Sequence, residues 1–318
     1  MTNRLRWADF PDSLRSRLEE VLGGSVRTTS SCVGGFSSSS AEIIRSSAGR
    51  SLFVKAVRAQ DNPASMRLNR SEAAALAHIP RAAPVPRLVT AFDHQDWFVL
   101  VTEVAAGSLP EQPWSPEQLD SVLTALDTLQ AAATPCPVPD LPTVAESLGP
   151  DMLGFDRIAE EPPTDLDPWI VEHLDDLRAA AYRGIGALDG DSLCHSDVRS
   201  DNLLITASGA VSLVDWAWAS RGSPVADALQ LLSSIEDPHG TLLVNERVDA
   251  VLERHGLPHS FGTDVLVGIL GFFVDAARWP VDPRLPLLSP HRRARRDSLL
   301  PLVTERWAGS PSPSALPS

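Results

Sequence analysis

Cys194-His195-Ser196-Asp197-Val198-Arg199-Ser200-Asp201-Asn202 is the stretch on which the reading of this 318-residue chain turns. It sets a histidine two residues before an aspartate, and an asparagine five residues after that aspartate. Directly downstream, Leu203 to Thr206 and Val211 to Val214 alternate as two short strands around the turn Ala207-Ser208-Gly209-Ala210, and Asp215 closes the hairpin. Two paired strands fold the chain back on itself, so the carboxylate of Asp215 returns to face the carboxamide of Asn202. Each residue alone has an ordinary reading: a buried histidine, a helix-capping aspartate, a turn asparagine. Together they place one carboxylate beside two oxygen donors able to share a hard divalent cation.

His195, Asp197 and Asn202 fit the kinase catalytic-loop pattern H-x-D-x-x-x-x-N. Phosphoryl transfer spreads charge over three equatorial oxygens with attacker and leaving group in line. The protein therefore mainly positions groups and neutralises charge. An aspartate that orients or accepts the acceptor's proton meets that need, as do asparagine and aspartate oxygens on Mg2+. Asp197 takes the first role in this reading, and Asn202 and Asp215 take the second. His195 is expected to brace the loop rather than to transfer a proton. Arg199 is expected either to touch the transferring phosphate or to form a structural salt bridge.

Working outward, the chain uses arginine for 26 of its 27 basic residues, and Lys55 is its only lysine. A compact ammonium kept in a chain that otherwise uses planar guanidinium groups points to a site where the two differ. Pro11 to Leu22 puts Leu14, Leu18, Val21 and Leu22 on one helical face. Strand patterns follow at about 25–33, 40–46 and 51–57, then a helix capped by Asn62 or Ser65 and running to Ile79, then strands at about 87–93 and 97–102. Beyond Gly107 the pattern turns helical, at about 116–133, 166–187, 224–235, 244–255, 262–278 and 287–307. The proline- and acid-rich stretch 134–165 reads as an irregular loop. The expected fold is α+β and two-lobed: residues 1–102 form a small lobe of five antiparallel strands plus a helix, 103–108 a hinge, 109–308 a larger helical lobe, and 309–318 a disordered tail.

These segments resemble the aminoglycoside phosphotransferase family, protein-kinase-like enzymes that phosphorylate small molecules. The resemblance covers nearly the whole chain. It rests on Val33-Gly34-Gly35-Phe36-Ser37, Leu52-Phe53-Val54-Lys55, Glu72, the run His195 to Asn202, and Val214-Asp215-Trp216. It implies that Lys55 contacts the α and β phosphates of ATP, with GTP as an alternative, and that Glu72 holds its ammonium. Gly34 and Gly35 would admit backbone amides to the phosphates with Ser37 as an extra donor, and the backbone of Glu103 and Ala105 would meet the adenine edge. Asp227 resembles the acid that supports the catalytic loop. Ser196 stands where many relatives have glycine, and Trp216-Ala217 replaces Phe-Gly.

Residues 1–102 carry 13 basic and 9 acidic side chains, whereas residues 103–318 carry 14 and 32. The acidic balance disfavours nucleic acid as a partner and suggests a cationic acceptor, an aminoglycoside-like or other antibiotic, consistent with a resistance role. Glu160, Glu161, Asp165, Asp167, Glu172 and Asp176 are candidates for an acidic wall, and Trp169, Trp218 and Trp279 for its aromatic lining. The basic run Arg292, Arg293, Arg295 and Arg296 reads as a solvated helix face. The longest apolar stretch near the C-terminal end, Val265 to Val274, is about half a bilayer-spanning helix, so no membrane is expected. Three widely spaced cysteines and no signal-peptide pattern suggest the cytoplasm. Two other functions fit the same motifs, namely a kinase of peptide or protein Ser/Thr and a nucleotide-binding module without catalysis. The short run from Asp215 to Asp227 speaks against the first, and the intact motif residues against the second.

Overall fold

The computed structural model describes residues 5–32, 39–237, 239–281 and 288–309. Helix α1, Asp12–Leu22, buries Leu14, Leu18 and Leu22, one residue per turn on a single face. The small-lobe sheet that receives this face consists of β1 (Val26–Ser31), β2 (Ser40–Ser46) and β3 (Ser51–Arg58), followed after α2 (Pro63–Leu76) by β4 (Leu88–His94) and β5 (Trp97–Glu103). Their spatial order is β1-β2-β3-β5-β4, with every pairing antiparallel. In β3 the even-numbered Leu52, Val54 and Ala56 join the cluster around α1. The intervening Phe53 and Lys55 therefore point to the opposite face, which looks onto the large lobe. Full burial of each leucine of α1 is worth about 1.5–3 kcal/mol, so the helix anchors the back of the sheet.

Asn62 caps α2, accepting the Ser65 N–H at 2.9 Å, so of the two capping candidates it is Asn62 that serves. The buried face of α2 carries Ser65, Asn69, Glu72 and Leu76 at spacings of three and four, a largely polar stripe. A buried polar stripe on a helix needs a partner, and here it is turned toward the cleft.

The large lobe runs α3 (Pro116–Ala132), α4 (Val144–Met152), α5 (Gly154–Glu160), α6 (Pro168–Ala187), β6 (Ser192–Cys194), β7 (Leu203–Ile205), β8 (Val211–Leu213), β9 (Ser220–Gly222), α7 (Ala226–Ser233), α8 (Val244–Arg254), α9 (His259–Ala276) and α10 (Leu288–Gly309). Two elements correct the expectation of an irregular 134–165: helices α4 and α5. A Cβ on Gly154 would lie 2.0 Å from the carbonyl oxygen of Gly271, so this glycine is a helix–helix contact and not a loop residue. Helix α9 is long and apolar enough to cross a bilayer by composition, yet 67% of it is buried in the protein. It packs against α5, α6 and α10 as the central helix of the lobe.

The lobes are joined through backbone. The Leu213 N–H donates to the Pro84 carbonyl at 2.8 Å, and Ser108 and Ile205 exchange N–H donations at 3.1 and 2.8 Å. The connector after β5 is thereby stitched to the β7–β8 hairpin, the element that carries Asn202 at one end and Asp215 at the other.

Candidate active site

Lys55 Nζ lies 2.7 Å from Glu72 Oε2 and 2.9 Å from Asp215 Oδ1. Three elements make this contact: the cleft face of β3, the polar stripe of α2, and the end of the β7–β8 hairpin. Burial opposes the charge on Lys55, but the fields of Glu72 and Asp215 outweigh it, and its pKa is raised. Burial likewise works against ionisation of Asp215, yet the ammonium prevails and its carboxyl sits below the ordinary range. Glu72 is the more enclosed of the two carboxylates, and burial pushes its pKa up against the pull of Lys55. One ammonium thus serves two acids, and the more exposed one, Asp215, is the more firmly ionised.

The catalytic loop is held from below. The Asp227 carboxylate accepts the backbone N–H groups of His195 and Ser196 at 2.7 and 2.9 Å. Gln230, one turn further along α7, accepts the Val198 N–H at 3.0 Å and donates to the Ser196 carbonyl at 3.1 Å. His195 Nε2–H donates to the Val214 carbonyl at 2.9 Å, and its ring packs edge-on against Trp216. The histidine is thus a buried tie between loop and hairpin. Ser196 takes φ 61°, the left-handed region that glycine favours, and its hydroxyl pairs with that of Ser220. Asp215 also lies in that region, with φ 70°, and a short 3-10 turn, Trp216–Trp218, follows it.

Asn202 donates through Nδ2 to both the backbone carbonyl and Oδ2 of Asp197, each at 2.9 Å. Its Oδ1 is the atom left for a cation. Burial raises the pKa of Asp197 against the opposing fields of Arg199 and His195 and the Asn202 bond. Arg199 makes a two-pronged pair with Asp201 at 2.9 and 2.6 Å and stands 3.6 Å from Asp197 Oδ1.

A cavity of about 890 Å³ between the lobes is lined by Lys55, Glu72, Glu103, Ala105, Asn202 and Asp215, among others. Asn69 on the same wall is buried, and its Nδ2 has no hydrogen-bond partner among the described residues. Gly34, Gly35 and Ser37 lie outside the described residues. A second cavity, of about 870 Å³, opens on the other side of the catalytic loop, and Asp197, Arg199, Asp201 and Trp218 line both. None of the six proposed acidic-wall residues lines either one. Of the three tryptophans, Trp218 lines both cavities, Trp169 stacks on His173, and Trp279 packs against Phe272.

Sequence reading missed Asp201, Gln230 and Asn69. A signal existed for Gln230, since it follows Asp227 by three positions on one helix and so shares its face. The i, i+3 and i+7 relation of Asn69 to Glu72 and Leu76 was equally readable.

A model of the phosphotransferase enzyme family matches residues 31–261. The chain belongs to that family. No curated protein matches this phosphotransferase. Among solved structures it is similar to an aminoglycoside phosphotransferase of Alicyclobacillus acidocaldarius, at 19% identity and a TM-score of 0.53 over 88% of this chain and 93% of that one. A spectinomycin phosphotransferase in complex with ADP and spectinomycin aligns at 10% identity and TM-score 0.58, over 93% and 98% of the two chains. The macrolide 2'-phosphotransferase of Brachybacterium faecium aligns at 17% and 0.56, over 91% and 95%. These likenesses show the fold, a protein-kinase-like two-lobed α+β architecture.

Proposed function

We propose that this phosphotransferase moves the γ-phosphoryl group of ATP to a hydroxyl of a small molecule. The observation that carries the reading is the junction of Lys55 with Glu72 and Asp215, in one cavity with Asn202. The lysine would hold the inner phosphates while Glu72 fixes its ammonium. The backbone groups of Ala105, which make no backbone hydrogen bond among the described residues, would meet the adenine edge.

Asn202 Oδ1 and the Asp215 oxygen not engaged by Lys55 fit Mg2+, which takes one or two protein oxygens and completes its shell from phosphate and water. When bound, the ion would neutralise charge on the phosphate oxygens. Asp197 stands where the two cavities meet. Its carboxylate would accept the acceptor's hydroxyl proton as the oxygen bonds to the γ-phosphorus and the bond to the bridging oxygen breaks, releasing ADP. Arg199, held by Asp201, faces the same junction and would steady the transferring group.

The small-molecule acceptor draws support from the spectinomycin complex and the macrolide enzyme among the neighbours. It also draws support from the chain after Asp215, where the turn Trp216–Trp218 leads directly into β9, and β9 pairs with β6. Between Asp215 and Asp227 that leaves little chain for docking a peptide. The aminoglycoside phosphotransferase among the neighbours favours the aminoglycoside-like acceptor expected from the charge balance, whereas the lining of the second cavity opposes it.

Asp197→Asn tests the reading. General-base removal costs about 10²–10⁴ in rate. ADP formation should fall in that range while ATP affinity stays within about threefold, and unchanged turnover would refute the role of Asp197.

A further inference from the structure

The second cavity lies on the acceptor side of Asp197, enclosed by α4, α7, α9, α10 and the catalytic loop. Its walls are mainly apolar: Met152 from α4, and Val265, Ile269, Phe272 and Phe273 from α9. Trp218, 56% exposed, presents an aromatic face at the mouth shared with the nucleotide cavity.

Among the described residues, its charged lining away from the catalytic loop is Asp151, Glu236, Arg292 and Arg295, two of each sign, together with His291. Burial, with Arg295 beside it, lowers the pKa of His291, so the ring is neutral at pH 7. Arg295 is buried, and its guanidinium is already committed to the carbonyls of Ser233 and Ser234 at the end of α7. Arg292 stacks over the Trp279 ring at 4.6 Å. The surplus of carboxylates in the large lobe therefore lies elsewhere on its surface. Even with Asp197, Asp201 and Arg199 of the catalytic loop included, described carboxylates exceed arginines in the lining by only four to three, so a polycation entering this cavity would surrender its hydration to mainly apolar walls that offer little in return.

We infer that the acceptor is an alcohol with a predominantly apolar body and at most one charged group, seated on the α9 face and under Trp218. The inference rests on the phosphotransfer reading only in making Asp197 the boundary between nucleotide and acceptor. The apolar wall would hold the body by area, while Asp197 selects the hydroxyl.

Four probes test it by calorimetry on the full chain: 1,10-decanediol, 10-hydroxydecanoate, 10-aminodecan-1-ol and kanamycin A. The three decanols should bind within tenfold of one another and at least tenfold more tightly than kanamycin, with little change between low and high salt. Ile269→Asp should weaken decanediol at least tenfold. Arg292→Glu should shift the preference between the two charged decanols at least fivefold toward the amine. Kanamycin binding most tightly, with an affinity that collapses in salt, overturns the inference, as does undiminished decanediol binding by Ile269→Asp. ADP release measured alongside separates the two readings. Decanols bound without turnover uphold the inference and count against phosphotransfer. Kanamycin phosphorylated without decanol binding does the reverse.

Discussion

The backbone N–H of His195 donates to Asp227 Oδ2 at 2.7 Å, a contact between the start of the catalytic loop and the first turn of α7. With the second donation from Ser196, the Asp227 carboxylate is the floor of the active-site loop, and it is 1% exposed. A buried N–H left unpaired costs about 1–3 kcal/mol. Asp227→Ala strands two. The variant should lose stability in denaturant titration by about that amount for each N–H and should lose ADP formation as the loop relaxes. Asp227→Asn keeps an acceptor and should lose less. Equal midpoints for Asp227→Ala and the parent would show that the loop is held by other contacts.

Lys55 is the only lysine of the chain, and it reaches two carboxylates at once from a mostly buried position. A guanidinium is wider, and its fork prefers a single carboxylate in one plane. Lys55→Arg should therefore be nearly as damaging as Lys55→Ala, each lowering kcat/KM by about 10²–10³, a loss of the size seen when an electrostatic contact to a developing charge is removed. Steady-state kinetics decide this. Recovery of most of the activity by arginine would mean that positive charge alone suffices.

At the hinge, Gly107 has φ 110°, and a Cβ there would sit 2.6 Å from the backbone carbon of Ile205. Gly107→Ala should push the connector off the hairpin that carries Asn202 and Asp215, costing about 1–3 kcal/mol for overpacking in addition to the backbone strain. Gly49 also has a positive φ, 86°, but its Cβ would meet nothing within 4 Å. Gly49→Ala should thus show only the backbone cost, about 1–2 kcal/mol. Thermal midpoints and ATP affinity measured on both variants separate the effects, and only Gly107→Ala should weaken the nucleotide.

The catalytic loop and hairpin were legible because their chemistry is local: His195, Asp197, Asn202 and Asp215 sit at fixed spacings in one continuous run. Strand alternation around Lys55 and the leucine spacing of α1 were legible for the same reason. Helices α4 and α5 were hidden by Pro150, Gly149 and Gly154, which read as loop punctuation, although Thr143 and Glu146 form a capping box that announces α4. The three-residue pair β6 and β9 carries too little pattern to be seen, since its partners are distant in sequence. The second cavity, on the far side of the catalytic loop, was the least legible feature. Its wall is assembled from helices far apart in the chain, so summing charge over residues 103–318 averaged an apolar pocket together with an acidic exterior.

Asp275 on α9 ties α5 to the residues that follow α9. Its carboxylate is buried, accepting from Arg157 Nε at 2.6 Å, from Arg278 Nε at 2.8 Å and from Trp279 Nε1 at 3.2 Å. Burial works against its ionisation, but these donors outweigh it and hold the pKa below the usual carboxylate range. A depressed folded-state pKa stabilises the protein above the unfolded value, about 3.9, and that contribution drains away as pH falls through the lower folded value. Asp275→Asn removes the ionisation altogether and takes the charged acceptor from two arginines, which keep their carbonyl contacts to Pro150, Asp151, Arg157 and Glu161. Its stability deficit against the parent should be full at pH 6–8 and should narrow progressively below about pH 4, where the parent's own carboxylate takes up its proton. Denaturation midpoints of both proteins across that range provide the test. A deficit that stays constant down to pH 3, or that widens, would mean that Asp275 acts through packing rather than through its charge.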